Sequence, residues 1–428
     1  MTVALPKGVG AGKEILDNVS DPNGLVAWPA APCSFKDGVS TYPGEYRGVP
    51  FLAPSSVMLD WIDSHLIPYL LEVQTLVRPL SSITFRPEKD GKTTIEICCE
   101  MEPAAWKRVR VEAAIDEMLP EALRDQIASV EFQVGRVTAC AGTPMGNSVA
   151  AQRAKGSLAN LLVKLGGSET PYGFGTLGPH LTSNGTHYWL SCAHVFHKAV
   201  HNGAQEVLSP VTVSSGLPLV IGTVDARKRS GPDTTAKLRS SHPDSLESVG
   251  RFNAADWQLI STGFQDNGHY DQTDNLQLSR MQPGGNVWAS GASCGPDKEG
   301  KIDLLPAIIP KGSDYGNTID LAAWSIRSTS DNLADSIGQH GDSGAALLAA
   351  DQKKVCGLIF AQKRRQGANP AFAMSFGRRG KDLKEERVEL AFAVDFKDII
   401  DDICAKIGDF DVNCTITKQC QCNTWERG

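Results

Sequence analysis

The sequence has no uninterrupted apolar stretch close to the roughly 20 residues that a membrane-spanning helix needs. It also lacks, at its first residues, a basic region followed by an apolar core, which is the pattern of a secretion signal. We therefore expect a cytoplasmic protein that has no membrane partner.

A strong excess of charge of one sign is also missing. The chain carries 42 basic and 49 acidic residues, a formal net charge of −7. This balance gives no electrostatic reason to expect a nucleic acid or an anionic membrane as partner. The one local basic run, Lys363-Arg364-Arg365, is interpreted as a solvated loop.

Cysteine is present but shows no disulfide or metal pattern along most of the chain. There are 11 cysteines, an odd number, and most are scattered singly in apolar contexts, which favours reduced, buried thiols of an intracellular protein. Near the end lie Cys404, Cys414, Cys420 and Cys422, whose spacing fits no common zinc pattern. Incidental thiols or a local disulfide are favoured there over zinc, and we predict no metal and no cofactor.

The length of 428 residues exceeds one ordinary core and predicts two or three domains. Residues 1–54 are rich in Pro and Gly and predict an irregular arm. Residues 55–138 predict an α+β domain, 139–157 a linker, 158–408 a β-rich domain and 409–428 a polar tail. The fold expected is therefore mainly β, preceded by a smaller α+β domain.

The α+β domain is read from its periodicities. Apolar residues from Met58 to Val77 recur at helical spacing, and two strands are predicted at Ile83–Arg86 and Thr93–Cys99. A long helical pattern runs from Pro103 to Ile127, although Pro120 should break or kink it. A closing strand is predicted at Val130–Val137.

In the β-rich domain, many short apolar runs are separated by turns, which is typical of a sandwich or barrel. The last periodic segment, Phe396–Ile407, predicts an amphipathic helix, with Gly408 well placed to end it.

The motif most indicative of catalysis is Gly341-Asp342-Ser343-Gly344. A serine hydroxyl becomes a nucleophile only when a base takes its proton and donors hold the oxyanion that forms. Glycine two residues before the serine allows the unusual backbone turn that points its N–H at this oxyanion. Gly341 and Ser343 are therefore the predicted oxyanion-hole donors, although the four residues by themselves could also form a plain β-turn.

Two further motifs complete a set. Tyr188-Trp-Leu-Ser-Cys-Ala-His194 is an apolar strand that ends in a small residue, Cys, Ala and His, and Ala255-Asp256-Trp-Gln-Leu-Ile260 is a strand led by aspartate. Together with Gly-Asp-Ser-Gly they resemble the chymotrypsin/trypsin family of serine proteases over residues 158–400. The resemblance implies two six-stranded antiparallel β-barrels with a C-terminal helix. It also implies that Ser343 is the nucleophile, His194 the general base and Asp256 the orienting acid.

The order of these residues supports that assignment. His194, Asp256 and Ser343 follow one another with separations of 62 and 87 residues, which is the chymotrypsin order. No histidine follows Ser343, which excludes an α/β-hydrolase on this serine. The rivals are His197 and His201, which lack the strand pattern, and Asp320, whose Ile-Asp-Leu-Ala-Ala context imitates that of Asp256. His194 could also be a buried, structurally satisfied histidine.

The resemblance also implies which residues bind the substrate. Val355–Gln362 is similar to the strand that pairs with the substrate backbone, so Phe360, Ala361 and Gln362 are predicted to bind peptide. Ile337 takes the position of the specificity-pocket base, which favours an apolar or small residue before the cleaved bond, and His340 completes this set.

Three departures from the family pattern are visible in the sequence. Gln339 replaces the cysteine of the pocket disulfide, and Ala345 replaces a second glycine. No activation sequence opens the domain, so Asp342 is expected to lack the buried amine that pairs with it in secreted zymogens.

These observations predict an intracellular serine endopeptidase that acts on proteins or peptides, with a restricted substrate range in signalling or immunity. A catalytically silent pseudoprotease that serves as a protein-binding module, and an esterase on the same barrel, are the alternatives. The N-terminal domain shows no chemistry and is a candidate for regulation, for binding a partner or for homo-oligomerisation.

Overall fold

The computed structural model is mainly β, as expected. It describes residues 45–46, 49–50, 56–73, 80–88, 90–140, 160–165, 173–183, 186–199, 205–212, 218–231, 252–253, 256–262, 270–291, 293–330, 336–349, 354–365, 387–407 and 414–419. Most of the predicted arm, the linker after Cys140, His201, Cys420 and Cys422 lie outside these residues. No helix in the described part of the chain combines the length and apolarity that crossing a membrane requires.

The N-terminal region contains short helices packed on a small sheet. Its elements are β1 (Glu45–Tyr46), β2 (Val49–Pro50), α1 (Ser56–Trp61), a π-helical turn (Ile62–Leu66), α2 (Ile67–Glu72), β3 (Leu80–Pro87), β4 (Thr93–Cys99), α3 (Ala105–Met118), a 3₁₀ turn (Glu121–Leu123) and β5 (Ile127–Ala139). Strand β4 lies between β3, which is antiparallel to it, and β5, which is parallel to it. This region therefore contains both helices and strands.

Proline explains where the long predicted helix differs from the structure. The helix expected over residues 103–127 ends at Met118, and only a 3₁₀ turn follows Pro120. Proline cannot donate a backbone hydrogen bond, and it disfavours helical geometry in the residue before it. Leu119 is accordingly extended, with ψ of 119°.

The rest of the described chain is almost entirely strands. They are β6 (Asn160–Leu165), β7 (Gly173–Thr176), β8 (His180–Ser183), β9 (Thr186–Ser191), β10 (Gln205–Thr212), β11 (Pro218–Ser230), β12 (Phe252–Asn253), β13 (Trp257–Ser261), β14 (Tyr270–Leu278), β15 (Asn286–Gly291), β16 (Gly295–Ile302), β17 (Ala307–Ile309), β18 (Leu321–Ser328), β19 (Ala346–Ala349), β20 (Lys354–Arg365), β21 (Arg387–Asp395) and β22 (Cys414–Gln419). A 3₁₀ turn (Ala193–Ala199) follows β9, and helix α4 (Phe396–Ile407) follows β21 with the predicted bounds.

Two groups of strands surround the candidate site. The second group is the one later in the chain, β15 to β21. Its antiparallel pairings run from β15 to β16, β18, β21, β20 and β19, and from β19 back to β15. This circuit of six strands closes on itself. In the first group, antiparallel pairings connect β7, β6, β10, β11, β13, β9 and β8 in that order.

The N-terminal sheet is continuous with the second group of strands. Strand β3 pairs with β17, which pairs with β18. The far end of β5 leaves β4 and pairs with β20, over the register Ala361↔Ala139 to Arg365↔Gly135. Strand β5 therefore spans both parts of the molecule.

A buried ion cluster lies at this junction. Glu96 of β4 accepts from Arg327 of β18 at 3.2 Å and lies 3.6 Å from Nζ of Lys363 in β20. Burial by itself would raise the pKa of Glu96, but the nearby cations, chiefly Arg327 and Lys363, lower it to about 2. Lys363 is fully buried, so the predicted solvated loop at Lys363-Arg364-Arg365 is wrong: these residues belong to β20.

We expect Glu96→Gln to lower the free energy of unfolding by about 1.5–3 kcal/mol, because Arg327 and Lys363 lose a buried, charged hydrogen-bond partner, while Asp303 and Glu389 still pair with them. Urea denaturation measures the change. The matched control is Glu102→Gln, whose exposed carboxylate is 3.7 Å from Arg108 and should contribute about 0–1 kcal/mol. Equal losses in the two variants would contradict a special role for the cluster.

Helix α4 adds a second buried carboxylate, at its N-terminus. Ile399, Ile400 and Ile403 are buried, as the amphipathic pattern predicted. Asp395 caps the helix, since its Oδ1 accepts the N–H of Lys397 at 3.0 Å. Burial, reinforced by the nearby Asp398, raises the pKa of Asp395 to about 7, although Arg280 opposes the shift.

The raised pKa of Asp395 predicts a pH-dependent stability. A carboxyl whose pKa is higher in the folded chain than in the unfolded chain binds protons more tightly when folded. Its contribution is complete at acidic pH and is lost as the pH rises through about 7. Thermal unfolding between pH 5 and pH 8.5 should show this fall, and Asp395→Asn should flatten it. A control, Asp401→Asn, alters an exposed carboxylate of the same helix and should leave the fall intact.

Candidate functional site

The turn that carries Ser343 is held between the two groups of strands. Gly341 and Gly344 have φ of +99° and +93°, which favours glycine. The N–H of Thr176 in β7 donates to the carbonyl of Ser343, and its hydroxyl donates to that of Gly341, both at 2.8 Å. A side chain at Gly344 would collide with Thr176 and Ser191. The glycines therefore allow the turn to lie directly against β7.

His194 reaches this turn because of where β9 ends. Strands β9 and β13 pair antiparallel with Ser191 opposite Gln258, so the residue after β9 lies beside the residue before β13. The backbone N–H of His194 donates to Oδ1 of Asp256 at 3.1 Å. The strand register thus fixes the histidine next to the aspartate.

The structure brings the three predicted side chains together. Nδ1 of His194 is 2.5 Å from Oδ2 of Asp256, and Nε2 of His194 is 2.7 Å from Oγ of Ser343. Asp256 and Ser343 are fully buried, whereas the His194 side chain is 8% exposed. The contacts form one unbroken line from the carboxylate to the hydroxyl, with only the imidazole edge near solvent.

Asp256 is ionised in spite of its burial. Burial by itself would raise its pKa, but the attraction of His194 and hydrogen bonds from His194 and Tyr315 hold the pKa below its ordinary value. The Tyr315 hydroxyl donates to Oδ2 at 2.6 Å. A buried carboxylate that keeps its charge can fix the imidazole tautomer and stabilise an imidazolium.

Tyr315 is the site residue that sequence reasoning missed. It lies in the loop between β17 and β18, where Asn317 Nδ2 donates to the carbonyls of Ile309, Pro310 and Ile319. No local motif marks it. The rival Asp320 lies in the same loop and accepts the N–H of Lys311 at 2.8 Å, so it closes a turn there.

Asp342 illustrates how a buried charge is satisfied without an amine. Its carboxylate accepts backbone N–H groups from Gln339 at 2.7 Å, Ser293 at 2.9 Å and Cys294 at 3.0 Å. Burial raises the pKa of Asp342, and these donors oppose the shift. Both carboxylate oxygens of Asp342 therefore have backbone donors.

The three residues predicted to pair with a substrate backbone pair instead with another segment of this chain. Ala361 and Gln362 pair with Ala139 and Thr138 of β5, and the carbonyl of Phe360 accepts the N–H of Cys140 at 3.1 Å.

The remaining predicted residues lie around the same end of β5. Ile337 is buried in the apolar cluster that also contains Cys140. The side-chain amide of Gln362 is 3.2 Å from Nδ1 of His340. Gly341, a predicted oxyanion donor, gives its N–H to the carbonyl of Cys140.

The ligand atoms of Cys192, His194 and Asp256 lie within 4.8 Å of one another, close enough to hold a metal ion in principle. Burial raises the pKa of the Cys192 thiol well above its ordinary value, and the thiol donates to the carbonyl of Ile359 at 3.1 Å. Metal binding would require this thiol to ionise and the contact between His194 and Asp256 to break. The arrangement is therefore better suited to hydrogen bonding.

Comparison with known proteins gives only remote likenesses. The chain matches no protein-family model and no curated protein. Among solved structures it matches a glutamic acid-specific serine protease that uses a histidine triad in substrate binding (15% identity, TM-score 0.31, 61% of this chain and 98% of that one). It also matches Thermobifida fusca Protease A (13%, 0.29, 61% and 97%) and kallikrein-related peptidase 10 (11%, 0.28, 61% and 98%). With TM-scores this low, the likenesses carry no weight beside the geometry.

Removal of the Tyr315 hydroxyl tests its role as a support for Asp256. We expect Tyr315→Phe to lower the free energy of unfolding by about 1–3 kcal/mol, because a buried carboxylate loses a donor. Denaturant titration at neutral pH measures the loss. In the control, Tyr188→Phe removes a hydroxyl that accepts from the partly exposed Lys228 at 3.3 Å and supports no buried carboxylate, so the change should be smaller. A Tyr315→Phe protein as stable as wild type would contradict this role.

Proposed function

We propose that the protein is a serine endopeptidase that hydrolyses peptide bonds through an acyl-enzyme. Ser343 is the nucleophile, His194 the general base and then general acid, and Asp256 the group that orients and stabilises the imidazole. The observation that carries the proposal is the unbroken line of contacts, 2.5 Å from Asp256 to His194 and 2.7 Å from His194 to Ser343.

The geometry suits each step of such a reaction. His194 Nε2 is within reach of the Ser343 proton, so the hydroxyl can lose it while attacking a carbonyl carbon. The backbone N–H groups of Gly341 and Ser343 would hold the oxyanion, since Gly341 adopts the positive φ that such a turn requires. His194 would then protonate the leaving amine, and water would release the acyl group.

The architecture that we propose for this enzyme is the pair of six-stranded barrels expected from the sequence. The closed circuit from β15 through β16, β18, β21, β20 and β19 supports the second barrel. The antiparallel series of seven strands from β7 to β8 supplies the strands from which the first would form. His194 and Asp256 come from the first group of strands and Ser343 from the second, so the reaction would take place between them.

We propose that the enzyme prefers an apolar or small residue before the cleaved bond. Ile337 is 1% exposed and belongs to an apolar cluster. A side chain at Gly338 would collide with Ala391, so little space is left there. A basic side chain would find no carboxylate at position 337.

A reducing compartment, and hence a cytoplasmic location, is part of the proposal. Cys98, Cys99, Cys140 and Cys192 are buried free thiols. Unpaired buried cysteines are typical of proteins that fold where thiols stay reduced.

One observation favours the alternative, a pseudoprotease that acts as a binding module. The Gly341 N–H, which should face an oxyanion, is already engaged by the carbonyl of Cys140. A cleft that is permanently filled would bind no substrate. The two proposals therefore differ in whether Ser343 ever reacts.

A fluorophosphonate probe distinguishes them, because it bonds only to a serine that a neighbouring base activates. We expect wild-type protein to be labelled at Ser343 and expect Ser343→Ala and His194→Ala to abolish labelling. As matched controls, Ser279→Ala and His187→Ala change a serine and a histidine outside this constellation and should be labelled like wild type. A folded wild-type protein that stays unlabelled would favour the binding module.

A further inference from the structure

The last residues of β5 lie along the edge of β20 that we assign to substrate. The pairing is antiparallel and runs from Arg365↔Gly135 to Ala361↔Ala139. An extended peptide that adds a strand to a sheet edge is a common way for proteins to bind peptides. Since the edge is predicted to hold the substrate backbone, the chain's own segment takes the place of a substrate, and this inference rests on the function proposed above.

Cys140 is held at the point where the reaction would occur. Its N–H donates to the carbonyl of Phe360 at 3.1 Å, its carbonyl accepts the N–H of Gly341, and its thiol donates to the carbonyl of Gly338 at 3.3 Å. Its side chain is fully buried in the apolar cluster that contains Ile337. The backbone donor, the backbone acceptor and the side chain of this one residue are all bound by the candidate site.

Strand pairing alone does not require this arrangement. The ladder between β5 and β20 is complete at Ala361↔Ala139, and the segment could leave the sheet there. Instead Cys140 continues toward the serine turn, and its carbonyl points at the N–H predicted to stabilise an oxyanion. A carbonyl held by an oxyanion donor is the one that the serine would attack.

We propose that the protein cleaves its own chain at the peptide bond on the carboxyl side of Cys140. The small, apolar side chain of Cys140 matches the preference that Ile337 predicts for the residue before the cleaved bond. The substrate of the proposed endopeptidase is thus, in the first instance, its own segment 135–140.

The reaction needs no group beyond the site and water. Ser343 Oγ forms a bond to the carbonyl carbon of Cys140 as His194 Nε2 takes the hydroxyl proton. The carbon–nitrogen bond to Ala141 breaks, and His194 returns the proton to the departing amine. Water then attacks the ester, again losing a proton to His194, which restores the Ser343 hydroxyl and leaves a carboxylate on Cys140.

The two products should remain together. Residues before the cleaved bond stay attached through the pairing of β3 with β17 and of β5 with β20. They are also held by the buried contacts of Glu96 with Arg327 and of Lys363 with Gln133. Cleavage would therefore yield fragments 1–140 and 141–428 that separate only on denaturation.

The test is the intact mass of the purified full chain, measured after denaturation, for wild type and Ser343→Ala. We expect wild type to appear as fragments 1–140 and 141–428 that co-elute under native conditions, and Ser343→Ala to keep its full mass. Tagged Ser343→Ala mixed with wild type should also stay intact, because the contact lies within one chain.

A variant of Cys140 tests the pocket. Cys140→Asp places a carboxylate in an apolar cluster near the carboxylates of Asp342 and Asp256. Burial raises the pKa of the Cys140 thiol, and these two carboxylates add to the effect. We expect self-cleavage to fall by about tenfold or more, and probe labelling of Ser343 to become faster as the cleft is vacated. The matched control, Ala128→Asp, puts a carboxylate at an exposed position of the same strand, outside segment 135–140, and should be cleaved like wild type.

Each outcome decides a separate question. A wild-type chain of full mass that is labelled at Ser343 would overturn self-cleavage and keep the proposed enzyme. A wild-type chain of full mass, with no labelling even in folded Cys140→Asp, would overturn both. Cleavage at another bond, or equal cleavage in Ser343→Ala, would overturn the assignment to Cys140 and Ser343.

Discussion

The backbone pairing of β20 is the constraint on which the rest of this structure depends. It pairs with β21 from Gly357 to Arg365, and it also pairs first with β19, which follows the Ser343 turn, and further along with β5. Between these pairings, Ile359 accepts the N–H of Gly344 at 2.9 Å and donates its own to Ala345 at 3.0 Å. One strand therefore fixes the nucleophile turn and the chain segment that lies against it.

Buried charge is the second feature that organises the molecule. Asp256, Asp342 and Glu96 are each nearly or fully buried, and each is satisfied in a different way. Asp256 accepts from a histidine and a tyrosine, Asp342 from backbone N–H groups, and Glu96 from cations on neighbouring strands. Because an unpaired buried charge is so costly, each of these carboxylates fixes the position of the elements that supply its partners.

The link between the N-terminal region and the candidate site gives that region a physical role. The sequence predicts no catalytic constellation in it, yet β5 carries Cys140 to the serine turn. Lys363 of β20 is neutralised from β4 and β21. Strand β20 thus contributes both to the ion cluster and to the edge that we propose for peptide binding. Because β20 contacts both, a change in how this region packs against β20 would alter the geometry of the candidate site.

The sequence by itself determined those elements and motifs that depend only on residues close together in the chain. The bounds of Thr93–Cys99 and Phe396–Ile407 were predicted from the local pattern of residues. In the helix, the helical spacing of apolar residues is enough to choose the buried face. The contact of His194 with Asp256 and Ser343 was predicted because three motifs, in a characteristic order, each carry a recognisable turn or strand.

Tertiary structure alone decided what depends on partners distant in sequence. Nothing near Tyr315 marks it as a donor to Asp256, 59 residues away, since any loop can deliver a hydroxyl once the fold brings it there. The sequence around Lys363 predicts a solvated charge, because its partner Glu96 lies on β4, far away in the chain. The destination of β5 is likewise invisible in its sequence, because a strand's pattern defines its faces, whereas its neighbours are chosen by whichever edge the folded chain leaves available.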